Sequence, residues 1–233
     1  MDFNQLLSQL NISLSEEQEK QFYTYYELLN KWNEVMNLTG ITDYEGVYLK
    51  HFYDSLTLYN AYDLTKDISL CDVGSGAGFP AIPIKIAFPN VKVTIVDSLG
   101  KRINFLNEVI LKLGLKDIVC HHARAEEFAL KHRESFDVVT SRALANINIG
   151  SELCLPLVKV GGYFLPMMAR HDKTSEINKL QGIKILGGQV ENLHNFTLPI
   201  ENSERSIACI KKVALTPKKY PRSFSAIKKA PLM

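Results

Sequence analysis

The chain has 233 residues, 46% hydrophobic and 22% charged, with a formal net charge of +2. That composition excludes a disordered polyelectrolyte and suits one large domain, or one domain with a small addition. The four cysteines, Cys71, Cys120, Cys154 and Cys209, have no CxxC spacing, and no 18 consecutive apolar residues occur. Buried reduced thiols and no membrane span are therefore expected, with no metal. The first twenty residues lack a basic n-region and an uninterrupted apolar core, so no signal peptide and a cytoplasmic location are expected.

Residues 1–65 read as helical. Ser15-x-x-Gln18 has the form of a capping box opening a helix. Phe22, Tyr25, Leu29, Trp32 and Met36 then recur at helical spacing, which is the pattern of a packing stripe. A second helix is expected through VYLKHFYDSLTLY.

From residue 68 the pattern changes. ISLCDV reads as a buried strand, AIPIKIAF as a helix, VKVTIVD as a strand and KRINFLNEVILKLG as a helix closed by Gly114. DIVCHH and FDVVTS read as strands, SELCLPLVK as a helix and GGYFLPM as a strand. KILGG, VENLHNFTLP and RSIACIKKV are expected to be closing strands. Strands alternating with helices imply a parallel sheet covered on both faces. The expected organisation is a helical extension over 1–65, an α/β domain over 66–213 and a basic tail over 214–233. From Ile210 onward there are seven Lys or Arg and no acid. Such a one-sign patch is the footprint of a nucleic-acid partner.

The stretch CDVGSGAGFP places Gly74, Gly76 and Gly78 directly after the first strand. In an open parallel sheet, ligands bind beyond the carboxyl ends of the strands, and glycine lets the backbone approach them. Asp97 ends the second strand, where a carboxylate can accept both hydroxyls of a ribose. A dinucleotide loop reads G-x-G-x-x-G with a pyrophosphate at the helix start. Here the spacing is G-x-G-x-G, Phe79 replaces the last glycine, and Pro80 and Pro83 crowd the helix start. A ligand without a pyrophosphate fits better. Asp72 adds negative charge suited to an ammonium and a sulfonium, which favours S-adenosylmethionine over a nicotinamide dinucleotide.

WNEVMNLTGI, KHFYDSL, DVGSGAGFPAIP, VTIVDSLGKRINFL, ARAEEF, VVTSRA, ELCLPLVKVGG and TPKKYPR occur in this order. Together they resemble the RsmG family, also called GidB, over nearly the whole chain. The resemblance implies a Rossmann-like class I S-adenosylmethionine-dependent methyltransferase acting on N7 of a guanine in 16S ribosomal RNA, free or in the small subunit. By position it implies cofactor contacts at Gly74, Phe79, Asp97, Ala125, Glu126 and Arg142. RNA phosphates would be met by Lys218, Lys219 and Arg222 of the tail. No catalytic general base is required, because guanine N7 carries no proton, and a monomer is expected. The chain departs from the family at Pro166-Met167-Met168, where a lysine is common, and after Arg222. A small-molecule methyltransferase, or an RNA-binding protein with an inactive cofactor fold, remain the alternatives at this point.

Overall fold

A computed structural model describes residues 2–169, 177 and 181–232. The chain opens with α1 (Phe3–Ser8) and α2 (Glu16–Asn33). The capping box forms as read: Ser15 N donates to Gln18 Oε1 and Gln18 N donates to Ser15 Oγ. Such a cap contributes about 1 kcal/mol. The segment expected as one helix over VYLKHFYDSLTLY is a composite. It runs through α3 (Tyr44–Val47), a π-helical turn (Tyr48–Tyr53), α4 (Asp54–Leu56) and a 3₁₀ turn (Thr57–Asn60). A π-helical turn widens the spiral and re-aims side chains, and such turns are frequent at functional sites.

The α/β part follows as β1 (Ser69–Val73), α5 (Ala81–Ala87), β2 (Lys92–Asp97), α6 (Gly100–Lys112), β3 (Ile118–His122), α7 (Ala125–Lys131) and β4 (Phe136–Arg142). Next come α8 (Ile147–Cys154), β5 (Val158–Ala169), α9 (Gln181–Ile185), β6 (Gly188–Thr197), β7 (Glu204–Lys212) and α10 (Phe224–Lys229). The sheet order is β3-β2-β1-β4-β5-β7-β6. Among the described strands only β7 runs against its neighbours, pairing antiparallel with β5 and β6. One end of β7, at Arg205, therefore lies by the carboxyl ends of the parallel strands. Its other end, at Lys212, lies by their amino ends.

Strand side chains alternate between two cores, as the two-residue period of a strand requires. Leu70, Val138, Leu165, Ile207 and Cys209 face one core, which they share with Leu7, Phe22, Tyr25 and Leu29 of the N-terminal helices and with Phe105 of α6. Cys71, Val139, Phe164, Ala208 and Ile210 face the other, with Phe128, Leu153, Ile183 and Ile227. Phe22, Tyr25, Leu29 and Trp32 of the stripe thus pack as their spacing suggested, whereas Met36 lies beyond the end of α2 and is only half-buried.

Two local readings change. KILGG is not a strand: Lys184 and Ile185 end α9, and β6 begins at Gly188. Ile183 and Leu186 are three apart and both buried in one core, a helical spacing that a five-residue window hides. Gly187 then turns the chain at φ +83°, where a β-carbon would come within 2.1 Å of the Ala214 carbonyl oxygen. SELCLPLVK is helical only to Cys154. Pro156 sits in a 3₁₀ turn and Val158 already starts β5, since proline cannot continue an α-helix from within it.

Candidate functional site

The loop after β1 carries positive φ at Gly74, Gly76 and Gly78, +74°, +61° and +99°. These are left-handed conformations that side chains avoid. Four groups tether the loop. Gly74 N donates to Val96 O at 2.7 Å. Ser75 Oγ donates to Asp72 Oδ2 at 2.5 Å. Gly76 N donates to Asp97 Oδ2 at 3.0 Å. The Tyr25 hydroxyl donates to the Ala77 carbonyl at 2.5 Å. The sequence identified the loop and Asp97. It did not identify Tyr25 as more than a packing residue.

Asp97 is buried beneath the loop. Its Oδ1 accepts from Leu99 N at 2.9 Å and its Oδ2 lies 3.4 Å from Arg102 Nη1. Asp72 is fully buried. Its Oδ2 also accepts from Ala81 N at 3.3 Å, the first residue of α5, whereas its Oδ1 has no partner. Burial raises the Asp72 carboxyl to about 7, against the pull of its hydrogen bonds from Ser75 and Ala81 and of the nearby Arg142. A buried carboxylate oxygen without a partner is costly unless something positive comes to it.

Phe79 closes the loop and is itself buried. The His51 ring stacks on it with centroids 4.5 Å apart, and the Arg142 guanidinium lies 4.9 Å from its ring centre. Arg142, at the end of β4, donates to Asp54 Oδ2 at 3.1 Å and to Lys50 O at 3.0 Å. Its Nη2 lies 3.4 Å from His51 Nδ1. Because arginine only donates, His51 Nδ1 must accept, which leaves Nε2–H for Thr39 Oγ1 at 2.7 Å. Burial, and secondarily Arg142, lower the imidazole to about 4, so His51 is neutral near pH 7. Arg205 Nε reaches the other Asp54 oxygen at 3.2 Å. One carboxylate therefore joins Arg142 and Arg205, while Lys50 pairs with Glu201 at 2.8 Å.

Lys50, His51, Asp54, Arg142 and Arg205 line a cavity of about 410 Å³ that is also bounded by Ser141, Pro166, Met167 and Met168. It is large enough for a small organic ligand. Met168, where the lysine is missing, is buried and pairs with Ser206 across β5 and β7. Ala125 and Glu126 open α7 and are half-buried. They sit just past β3, where Ala123 N donates to Asp97 O at 3.1 Å, so the structure brings them to the Asp97 side of the crevice. His51, Asp54 and Arg205 were missed. The His51-x-x-Asp54 spacing in KHFYDSL was their one local signal, and Arg205 gave none.

The three tail cations lie elsewhere. Thr216 N donates to Glu134 Oε1 at 3.0 Å, and Arg133 binds the carbonyls of Thr216 and Tyr220. Glu134 precedes β4, so Lys218 and Lys219 stand exposed at the amino edge of the sheet. That edge is about 20 Å from the crevice, the length of a seven-residue strand. Arg222 is bound by Glu152 of α8, through Nε at 2.8 Å and Nη2 at 2.6 Å. Its charge is thus paired within the protein, unlike those of the exposed Lys218 and Lys219.

A seven-stranded sheet in this order, with a glycine loop after β1 and an acid ending β2, is the Rossmann-like class I methyltransferase fold. Two solved structures share it. A SAM-dependent methyltransferase from Aquifex aeolicus superposes with a TM-score of 0.55 at 18% identity, covering 72% of this chain and 93% of its own. A variant 16S rRNA adenine methyltransferase from Catenulisporales acidiphilia, solved with its cosubstrate SAM, gives 0.54 at 16%, covering 66% and 88%. At these identities they establish the fold alone. The family follows from the sequence: the model described as "GidB: rRNA small subunit methyltransferase G" matches residues 18–206, and the chain belongs to that family. Proteins named ribosomal RNA small subunit methyltransferase G are 53% identical in Bacillus cytotoxicus, over 99% of this chain and 97% of theirs. In Oceanobacillus iheyensis the identity is 52%, over 99% and 98%.

Proposed function

We propose that the chain transfers a methyl group from S-adenosylmethionine to N7 of a guanine in small-subunit ribosomal RNA. The observation that carries this reading is the wall made where Arg142, which lines the cavity of about 410 Å³, lies on the Phe79 ring at the end of the glycine loop. A donor on the loop and a nucleobase in the cavity would share that wall. S-adenosylmethionine fits the residues present: the open loop, the Asp97 carboxylate, and the partnerless Asp72 oxygen that suits its ammonium. When bound it supplies a methyl on a sulfonium, which makes that carbon an electrophile.

The remaining work falls to the chain. Gly74 and Phe79 shape the loop, Asp97 holds Gly76 and offers its spare lone pairs to the ribose, and Ala125 and Glu126 border the adenine side. Guanine N7 attacks with its own lone pair, so no side chain must remove a proton. Alignment can then supply roughly 7–11 kcal/mol of the barrier in favourable cases. The product guanine is cationic. Asp54 offsets the Arg142 charge beside the cavity, and His51, neutral near pH 7, adds none. Lys50 and Arg205 line the cavity with their charges paired to Glu201 and Asp54, and Lys218 and Lys219 suit flanking RNA backbone, which positions without specifying.

The direct test incubates the protein with isotope-labelled S-adenosylmethionine and either purified small subunits or 16S ribosomal RNA, then maps the label. Label on one guanine N7 supports the reading. No label, or label on another atom, refutes it.

Asp72 gives the reading a pH signature. Its carboxyl is protonated below about 7 in the folded chain, and only the ionised form attracts an ammonium. Donor affinity should therefore rise with pH, weakening about tenfold from pH 8 to pH 6, where about one carboxyl in ten is ionised. Stability should move the other way. The folded state holds this proton above pH 4 while the unfolded chain has lost it, so the contribution falls from pH 4 to 7. Calorimetric titration of the parent and Asp72→Asn checks this, and a parent profile as flat as the variant's would remove Asp72 from the donor site.

A further inference from the structure

Tyr25 is the one member of the α2 stripe that ends in a hydroxyl, and it is fully buried. A phenylalanine would fill almost the same space, so packing alone does not require the oxygen. The hydroxyl donates to the Ala77 carbonyl from 52 residues away in sequence. Burial holds the phenol protonated, so it serves as a donor.

The peptide it touches is constrained twice. A peptide bond is planar, so the Ala77 carbonyl and the Gly78 N–H turn together. Tyr25 holds the carbonyl, and the Gly78 N–H donates to Ser75 O at 3.0 Å. The fit is tight, since a β-carbon on Gly78 would lie 2.7 Å from the Tyr25 oxygen. The Tyr25 ring also lies 5.6 Å from the Phe79 ring, which carries Arg142 on its face. The other side-chain tethers of the loop, Asp72 and Asp97, come from β1 and β2. Tyr25 ties it to the N-terminal helices.

We infer that Tyr25 is a positioning residue for the methyl donor: by pinning the Ala77–Gly78 peptide plane, the N-terminal helix presets the loop in its donor-binding shape. This rests on the reading that the loop takes S-adenosylmethionine. Without the hydroxyl the plane can rotate, and each binding event must restore it. The cost appears in donor affinity, while RNA affinity and the rate at saturating donor stay as they are.

The experiment compares the parent, Tyr25→Phe and Leu29→Ala, the last a buried α2 residue whose loss weakens the same core. S-adenosylmethionine binding is measured by calorimetry below all three unfolding midpoints, together with KM for donor and RNA. Tyr25→Phe should bind the donor about five- to tenfold more weakly, as expected for one lost hydrogen bond. Its donor KM should rise in step, with kcat and RNA KM within twofold of the parent. Leu29→Ala should lower the unfolding midpoint yet bind the donor as the parent does. Equal donor affinity in Tyr25→Phe and the parent overturns the inference, as does an equal loss in both variants, which would make Tyr25 a packing residue. A parent that binds no S-adenosylmethionine would refute the reading of the loop itself.

Discussion

Replacing Arg222 with alanine should destabilise the fold by about 3–5 kcal/mol, the usual result of removing one partner from a buried ion pair. Glu152 is completely buried, and two arginine nitrogens and the Arg222 backbone N–H converge on its carboxylate. Without the guanidinium, a charge would remain inside the protein with a single backbone donor. For a chain of this size the loss corresponds to roughly 10 °C in the unfolding midpoint. The double variant Arg222→Met with Glu152→Leu should recover most of it, because no orphan charge remains. Thermal unfolding of the three proteins measures both effects, and a single variant as stable as the parent would show the pair to be dispensable. Lys218→Ala with Lys219→Ala should do the reverse. Both lysines are exposed, so stability should hardly change, while RNA binding should lose about 0.7–0.9 of salt slope per lost phosphate contact. Salt slopes equal to the parent's would place the RNA surface away from the tail.

Asp97→Asn should weaken donor binding by about 1.5–3 kcal/mol, or roughly ten- to 150-fold, the range for a lost hydrogen bond to a charged group. The carboxylate accepts from two backbone donors on opposite oxygens, Gly76 N and Leu99 N. An amide has one oxygen, so one of these N–H groups must face an NH₂. If the tether to Gly76 is the one lost, the loop loosens. If the ribose contact is lost as well, an analogue lacking a ribose hydroxyl should bind the parent more weakly but the variant no worse than S-adenosylmethionine does. Equal donor dissociation constants for the parent and the Asp97→Asn variant would remove Asp97 from the donor site altogether.

The alternation of strands and helices was legible because β1 and β2 are short apolar runs, one followed by a glycine and the other ended by an acid. The loop was legible because its three glycines stand where positive φ is needed. What could not be read were meetings between distant segments. The stretch from Ile210 onward has seven cations and no acid of its own, but Lys211 meets Glu191, Lys212 meets Glu134 and Arg222 meets Glu152. A count along the chain sees none of those acids. Asp54 is similar: it sits among helical residues and gains its meaning only when β4 and β7 deliver Arg142 and Arg205 to it. Tyr25 shows the converse limit. Periodicity placed its ring in the core correctly but could not say what the hydroxyl at its far end would touch.

The reversed strand β7 also limits how the molecule can change length. β7 is nine residues from Glu204 to Lys212, with Arg205 fastened to Asp54 near its start and Lys212 fastened to Glu134 and Thr216 at its end. Both anchors are side chains on a ladder of fixed rise, so the strand acts as a measured strut between the two edges of the sheet. Inserting one residue within it would detach one anchor or the other, and would turn the neighbouring apolar residues from one core to the opposite one. Spare length has to go where the ladder imposes no count, in the turn between Leu198 and Ser203 that joins β6 to β7.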